Sequence, residues 1–227
     1  MNRFLLVSEK KWHEKLFLDL KNKFFIVEWI LINNKEDFNF ENLETINPTK
    51  IFIPHWSYII PSEIYNSFDC VVFHMTDLPY GRGGSPLQNL IVRGHKSTKI
   101  SAIQVQKGID TGNIYLKKDL SLAGTAQEIF IRSVEVINDM IKEIIEDNLI
   151  PHPQAGEVVE FKRRKPEESN LEQIANLEKA FDYIRMLDGE GYPNAFVETE
   201  FFKFEFFNAV LNSNQNSIQA NVRISKK

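Results

Sequence analysis

Residues 70–112 hold the side chains whose types and spacing can do chemistry. The apolar run Cys70-Val71-Val72-Phe73 ends in His74, a Pro/Gly-rich loop follows from Leu78 to Ser85, and Asp110-Thr111-Gly112 closes the stretch. The pattern predicts an imidazole and a carboxylate at the ends of neighbouring strands. That layout suits acyl transfer, because imidazole moves protons near neutral pH and a carboxylate orients and charge-stabilises it. Taken singly, each signal has a plain structural reading. A histidine at a buried strand end is more often structural than catalytic, and an aspartate in a turn commonly bonds its own backbone.

Other chemistries fit less well. Gly81-Arg82-Gly83-Gly84-Ser85 precedes a helix, where backbone N–H groups can bind an anion, but it lacks the spacing and the lysine of a phosphate loop. No GxGxxG follows the first strand, which argues against a dinucleotide enzyme. Asp-Thr-Gly is also the triplet of aspartic proteases, whose chemistry needs two aspartates sharing a proton; this chain has one copy.

Positioning these groups requires a buried scaffold, and 227 residues suffice for one sizeable domain with a small appendage. A composition 43% hydrophobic and 26% charged is that of an ordinary globular protein. The formal charge of −4 supplies no basic field for nucleic acid. A single cysteine excludes an internal disulfide framework and a Cys-rich zinc site; Cys70, in an apolar run, reads as a small buried hydrophobe. No metal is expected. The N-terminal apolar run is too short for a secretory signal and no stretch is long enough for a membrane span, so a cytoplasmic protein without membrane contact is expected.

The order of elements predicts an α/β fold: a Rossmann-like, doubly wound, mostly parallel sheet. Phe4–Val7, Phe24–Ile32, Ile51–Ile53 and Cys70–Phe73 are continuous apolar runs, as in strands buried on both faces. Helices are expected at Glu9–Lys21, Pro61–Tyr65 and Ser85–Val92, with a strand at Ile100–Val105. A long helix follows the capping box Thr125–Glu128, with Phe130, Val134, Ile137, Ile141 and Ile144 on one face. Ligands of such sheets gather at the carboxyl ends of strands, where His74 is placed. Residues 1–155 form the expected catalytic domain and 156–227 a small C-terminal helix-plus-β module. In the module, Leu171–Leu187 is a helix and Ala195–Leu211 one or two strands. The pairs Phe201-Phe202 and Phe206-Phe207 imply a bulge or bend, and a polar turn at Asn212–Ser217 precedes a last strand at Ile218–Ile224.

The joint pattern resembles the folate-dependent formyltransferases. Their usual core appears here as His74, Leu78-Pro79, Arg82-Gly83, Pro86-Leu87-Gln88, Gly94 through Thr98, and Asp110-Thr111-Gly112, in order and with family-like spacing. His55-Trp56-Ser57-Tyr58-Ile59-Ile60-Pro61 stands where the family has its folate-side loop. Arg164–Glu168 and Ile184 through Phe196 resemble the start of its C-terminal domain. The wording of the core is most similar to sugar-nucleotide N-formyltransferases of pseudaminic-acid-type pathways, and the family includes methionyl-tRNA formyltransferase.

The resemblance implies 10-formyltetrahydrofolate as co-substrate and His74 and Asp110 as the catalytic pair. It also implies Ile59, Ile60, Pro61, Leu78, Gly108, Ile109 and Gly112 around the folate. Arg82, Gln88, Arg185 and Tyr192 are the expected substrate contacts. The expected acceptor is the amine of a nucleotide-linked amino-dideoxy sugar, with no nucleic-acid partner. The C-terminal module is short, and its basic run Lys162-Arg163-Arg164-Lys165 reads as a solvated linker. A methionyl-tRNA-type transferase and a catalytically silent ligand-binding relative are the alternatives. The phenylalanine stripe reads as core or dimer interface, and a homodimer is expected by analogy. One departure matters: Val72 stands where the family has an asparagine that polarises the formyl carbonyl. Losing one oxyanion donor typically costs ~10²–10³ in rate; His55, Ser57, Thr76 and Gln88 are the candidates to replace it.

Overall fold

Leu5, Leu6 and Val7 are fully buried in β1 (Arg3–Val7), which runs parallel to β2 (Glu28–Ile32) on one side and β3 (Lys50–Ile53) on the other. A strand covered on both faces needs an unbroken apolar run, and this one has it. The protein is seen here as a computed structural model that describes residues 2–212, 214 and 216–227. β4 (Cys70–His74) continues the parallel run beside β3, and β6 (Ser97–Gln104) joins it antiparallel. With β7 (Ile114–Ser121) the sheet reads β2-β1-β3-β4-β6-β7. The fold class is the expected one, a mostly parallel α/β sheet.

The antiparallel β6 changes one expectation. His74 pairs with Ser101 and Val71 with Gln104, so β6 ends at the edge opposite His74. The carboxylate does not sit at the end of a neighbouring strand; residues 105–113 must double back to bring it there.

The chain divides into two compact units. Residues up to Gly83, Lys99–Leu120 and Ile131–Glu160 form the first, and Gly84–Thr98, Ser121–Phe130 and Phe161–Lys227 the second. A cut at 155/156 follows the chain; the units follow hydrogen bonds. Gly84 N–H donates to Phe161 O, Asn89 Nδ2 to Lys162 O, and Gln127 N–H to Asp188 O, drawing 84–98 and 121–130 into the second unit.

In the first unit, α1 (Glu14–Lys23) starts later than expected, after a 3-10 turn at Lys11–His13, and buries Leu16 and Leu20. The apolar run after it is only partly strand. Phe25 and Ile26 are 82% and 71% exposed, because Phe24–Val27 must turn the chain from helix to sheet. α2 (Phe40–Ile46), α3 (Ser62–Ser67) and a short β5 (Tyr80–Gly83) complete the layers, β5 pairing with β8 (Val159–Phe161). α5 (Ala126–Glu146), whose residues from Ile131 on belong to this unit, opens on the predicted capping box, with Thr125 N–H donating to Glu128 Oε2 (2.8 Å) and Glu128 N–H to Thr125 Oγ1 (3.2 Å). Cys70 is buried, and burial with the Asp69 charge pushes its thiol up to about 12. Among the described residues, no helix is long and apolar enough to cross a membrane.

The second unit holds α4 (Pro86–Val92), α6 (Leu177–Arg185) and a three-stranded antiparallel sheet. α6 is half the predicted helix, because the Asn176 side chain caps it by accepting from Lys179 N–H (2.8 Å). β9 (Ala195–Glu198), β10 (Phe202–Asn212) and β11 (Ser217–Lys226) follow. Their register shifts between Phe207 and Val210, where Asn208 has φ +52°, close to the expected bulge. The expected turn at Asn212–Ser217 includes Ser213 and Gln215, which lie outside the described residues.

Candidate active site

β4 delivers His74 to its carboxyl end, where the imidazole is 9% exposed. Its Nε2 lies 2.8 Å from the Gly81 carbonyl oxygen. A carbonyl only accepts, so Nε2 carries the proton and Nδ1 is the other face of the ring. Nδ1 points at Asp110, 3.4 Å from Oδ2. The same Oδ2 accepts the Gly83 N–H at 2.9 Å.

The loop between these contacts is fixed from below. The Ser101 hydroxyl donates to Thr76 O (2.7 Å) and accepts the Leu78 N–H (3.3 Å), and the Lys117 ammonium reaches both Leu78 O and the Asp77 carboxylate. The Leu78–Pro79 bond is cis, and Gly81 and Gly83 have φ of +82° and +106°, which side-chain-bearing residues rarely adopt. Burial raises the Asp77 carboxyl, but Lys117 and Lys99 outweigh it and hold the group below its usual value.

Asp110 itself sits at φ +53°. Gly112 explains the end of its triplet: a Cβ there would lie 1.7 Å from the Gln104 carbonyl oxygen of β6. The Thr111 hydroxyl closes the turn on Lys107 O (2.9 Å), and the Gln154 amide donates to Asp110 O and Gly112 O, each at 2.8 Å. Gln154 is a functional candidate that sequence reasoning missed, since it lies in a turn-rich stretch without a motif of its own.

Of the expected folate-side residues, Ile59 and Ile109 are exposed, at 79% and 61%. Ile60 and Val72 pack with Trp56 and Val105 on one hydrophobic cluster, so the residue in the asparagine position forms apolar floor and offers no donor. Pro61 O caps α3 by accepting the Ile64 N–H (3.1 Å). Leu78 is fully buried and anchors the loop rather than offering a surface. Gly108, at φ +104°, shapes the approach to the Asp110 turn. A cleft of about 580 Å³ beside α3 is lined by Ser62, Tyr65, Gln104 and Lys107, and does not include His74 or Asp110.

The expected substrate contacts are differently employed. Arg82 donates from Nε (3.2 Å) and Nη2 (2.8 Å) to Gln154 Oε1. The other three lie in the second unit. Arg185 is 4% exposed, its Nη1 given to Leu122 O and Gly124 O and its Nε to Asp182 (2.6 Å); it closes the end of α6. Gln88 is 2% exposed and donates to Met186 O (3.1 Å). Tyr192 stacks on Phe130 at 5.6 Å and bonds Gln88; burial raises its phenol despite that bond and the Arg163 charge. These three hold the second unit together. Thr76, one candidate for the missing donor, is fully buried and donates to Gly81 O (3.4 Å).

A doubly wound, mostly parallel sheet with a Pro/Gly-rich loop at its carboxyl edge defines an α/β class of protein, and comparison with known proteins narrows it. A family model described as the C-terminal domain of methionyl-tRNA formyltransferase matches residues 166–225. The solved structure of a methionyl-tRNA formyltransferase from Clostridium thermocellum is 48% identical, covers 100% of both chains and superposes with a TM-score of 0.96. On that match, this chain belongs to the formyltransferase family. A methionyl-tRNA formyltransferase from Thermodesulfovibrio yellowstonii is 27% identical over 159 residues, 66% of this chain and 52% of the relative. The chain thus spans about half the length of the curated relatives it matches. A sugar N-formyltransferase from Shewanella shares the fold, with 18% identity, a TM-score of 0.68 and coverage of 100% and 98% of the two chains.

Proposed function

We propose that this protein transfers a formyl group from 10-formyltetrahydrofolate to a primary amine, with His74 and Asp110 as its catalytic pair. The observation that carries the reading is the His74 ring, fixed through Nε2 by the Gly81 carbonyl and facing Asp110 through Nδ1 at 3.4 Å. Attack of a neutral amine on the formyl carbon gives a tetrahedral oxyanion and an ammonium that must lose a proton. Nδ1 has the lone pair to take it, and Asp110 stabilises the imidazolium so formed. Collapse expels the folate nitrogen, which the same proton neutralises, leaving a formamide and tetrahydrofolate. Ile59 and Ile109 supply apolar surface for the pterin.

The acceptor divides into two readings. The 48%-identical chain of equal extent carries the name methionyl-tRNA formyltransferase, which favours the amine of methionyl-tRNA and removes the ground for excluding nucleic acid. Charge favours a nucleotide-linked amino sugar: the chain is −4 overall, and on the small sheet Lys203 pairs with Glu205 (3.1 Å) and Lys227 with Glu198 (2.6 Å). Both acceptors are tested together, with formyl-folate and detection of the added CO by mass. Transfer to methionyl-tRNA that weakens steeply with salt supports the first reading. Transfer to a 4-amino-dideoxy nucleotide sugar supports the second, and transfer to neither amine refutes the enzyme.

A further inference from the structure

We propose that Gln154 is a positioning residue that holds Asp110 in the conformation its partnership with His74 requires. The inference rests on the catalytic roles given above to those two residues. Asp110 has φ +53°, a region that residues with a side chain occupy uncommonly and that contacts to the backbone help to hold. The Gly83 N–H holds its carboxylate and the Thr111 hydroxyl closes the turn on Lys107 O, while one side chain from outside the turn holds its backbone carbonyls. Gln154 Nε2 donates to Asp110 O and Gly112 O, each at 2.8 Å, so a single amide brackets the turn from both ends.

The other end of the amide reaches the opposite loop. Gln154 Oε1 accepts from Arg82 Nε and Nη2 at 3.2 and 2.8 Å. Arg82 lies between Gly81, whose carbonyl fixes His74 Nε2, and Gly83, whose N–H fixes Asp110 Oδ2. Gln154 therefore ties the segment that orients the imidazole to the segment that carries the carboxylate. Only a carboxamide does both jobs. A glutamate would keep the contact with Arg82 but turn an oxygen toward two carbonyls, and a lysine would lose the acceptor. Arg82, through the same bonds, serves the pair without needing to touch the substrate.

The test compares Gln154→Glu and Gln154→Ala with the wild type for kcat, KM for formyl-folate, melting temperature and the pH profile of kcat/KM. Expected is a kcat loss of about 10–100-fold, as for a small displacement of a reacting group. KM should change little and the pH profile should shift. In an Asp110→Asn background, Gln154→Ala should cost nothing more, because both changes act on one partnership. A loss that multiplies in that background, or an unchanged pH profile, overturns the proposal. Should Gln154→Ala not fold, Arg82→Lys is expected to shift the profile in the same direction by less; no shift overturns the proposal. Nitrogen NMR of the His74 ring needs no turnover. A moved Nδ1 resonance in Gln154→Glu supports the inference even if no formyl transfer is found, and an unmoved one overturns it even if the wild type is active.

Discussion

The carboxyl edge of the main sheet carries histidines in two places, and their surroundings differ in kind. His74, at the end of β4, has a backbone carbonyl on one nitrogen and a carboxylate near the other. His13 and His55 follow β1 and β3. His13 Nδ1 lies 2.7 Å from the Ser8 hydroxyl, and both rings make edge contacts with Trp12, at 6.0 and 6.2 Å between centroids. Burial, then His55 and Lys10, lowers His13 to about 3; burial, then Lys10, lowers His55 to about 4. A ring kept neutral by burial can fill space and bond, but it cannot usefully take a proton at pH 7. At His74 a carboxylate faces the ring instead, with Asp110 Oδ2 3.4 Å from Nδ1. On the proposed roles, the same side chain on the same sheet edge serves catalysis in one place and packing in the other, and the neighbour decides.

The strongest way to break this contrast is to remove the neighbour. Asp110→Asn or His74→Asn should lower kcat by about 10²–10⁴-fold, the usual worth of positioned acid–base groups, while melting temperature changes little. His55→Gln should do the reverse, leaving kcat within a few-fold. If His55→Gln proved as damaging as Asp110→Asn, the assignment of roles would be inverted and His55 would be the missing oxyanion donor. Next in size is Gly112→Ala. With a Cβ 1.7 Å from Gln104 O, the turn must move, costing about 1–3 kcal/mol as overpacking does, and Asp110 moves with it. Denaturant unfolding and kcat should both register the change.

The two places also differ in how acid acts on them. Unfolded histidine titrates near 6.5 and folded His13 near 3, so the unfolded chain binds more protons across that interval. The neutral His13 therefore contributes fully above pH 6.5, and its contribution is lost as pH falls from 6.5 toward 3. One proton amounts to about 1.4 kcal/mol per pH unit. His13→Gln should flatten the fall in stability between pH 6 and 4 relative to wild type. An equally steep acid limb in the variant would mean that His13 is not the buried neutral ring described here.

Much of this is legible in the amino-acid sequence. Unbroken apolar runs at Phe4–Val7 and Cys70–Phe73 specify interior strands, and Thr125 with Glu128 specifies where α5 starts. His74 and Asp110 stood out by motif, although antiparallel β6 and its returning loop, which bring them together, did not. The sequence misled where a side chain's use depends on distant carbonyls. Arg185 looks like a substrate anchor because it is charged, yet it caps the backbone of residues 122 and 124, more than sixty positions away. Gln154 was invisible for the same reason: its partners are brought near only by folding.

The smallest test concerns the hydroxyl that replaces a carboxylate at the second place. Ser8 Oγ accepts the Lys10 N–H at 3.1 Å, so its own proton is free to point at His13 Nδ1, which places the His13 proton on Nε2. Ser8→Ala removes that donor and leaves a buried nitrogen unpaired, at a cost of about 1–2 kcal/mol in unfolding free energy. Formyl transfer should be unaffected, because nothing in the proposed proton path passes through Ser8. A Ser8→Ala protein that folded normally but lost turnover would move the chemistry from the end of β4 to the end of β1.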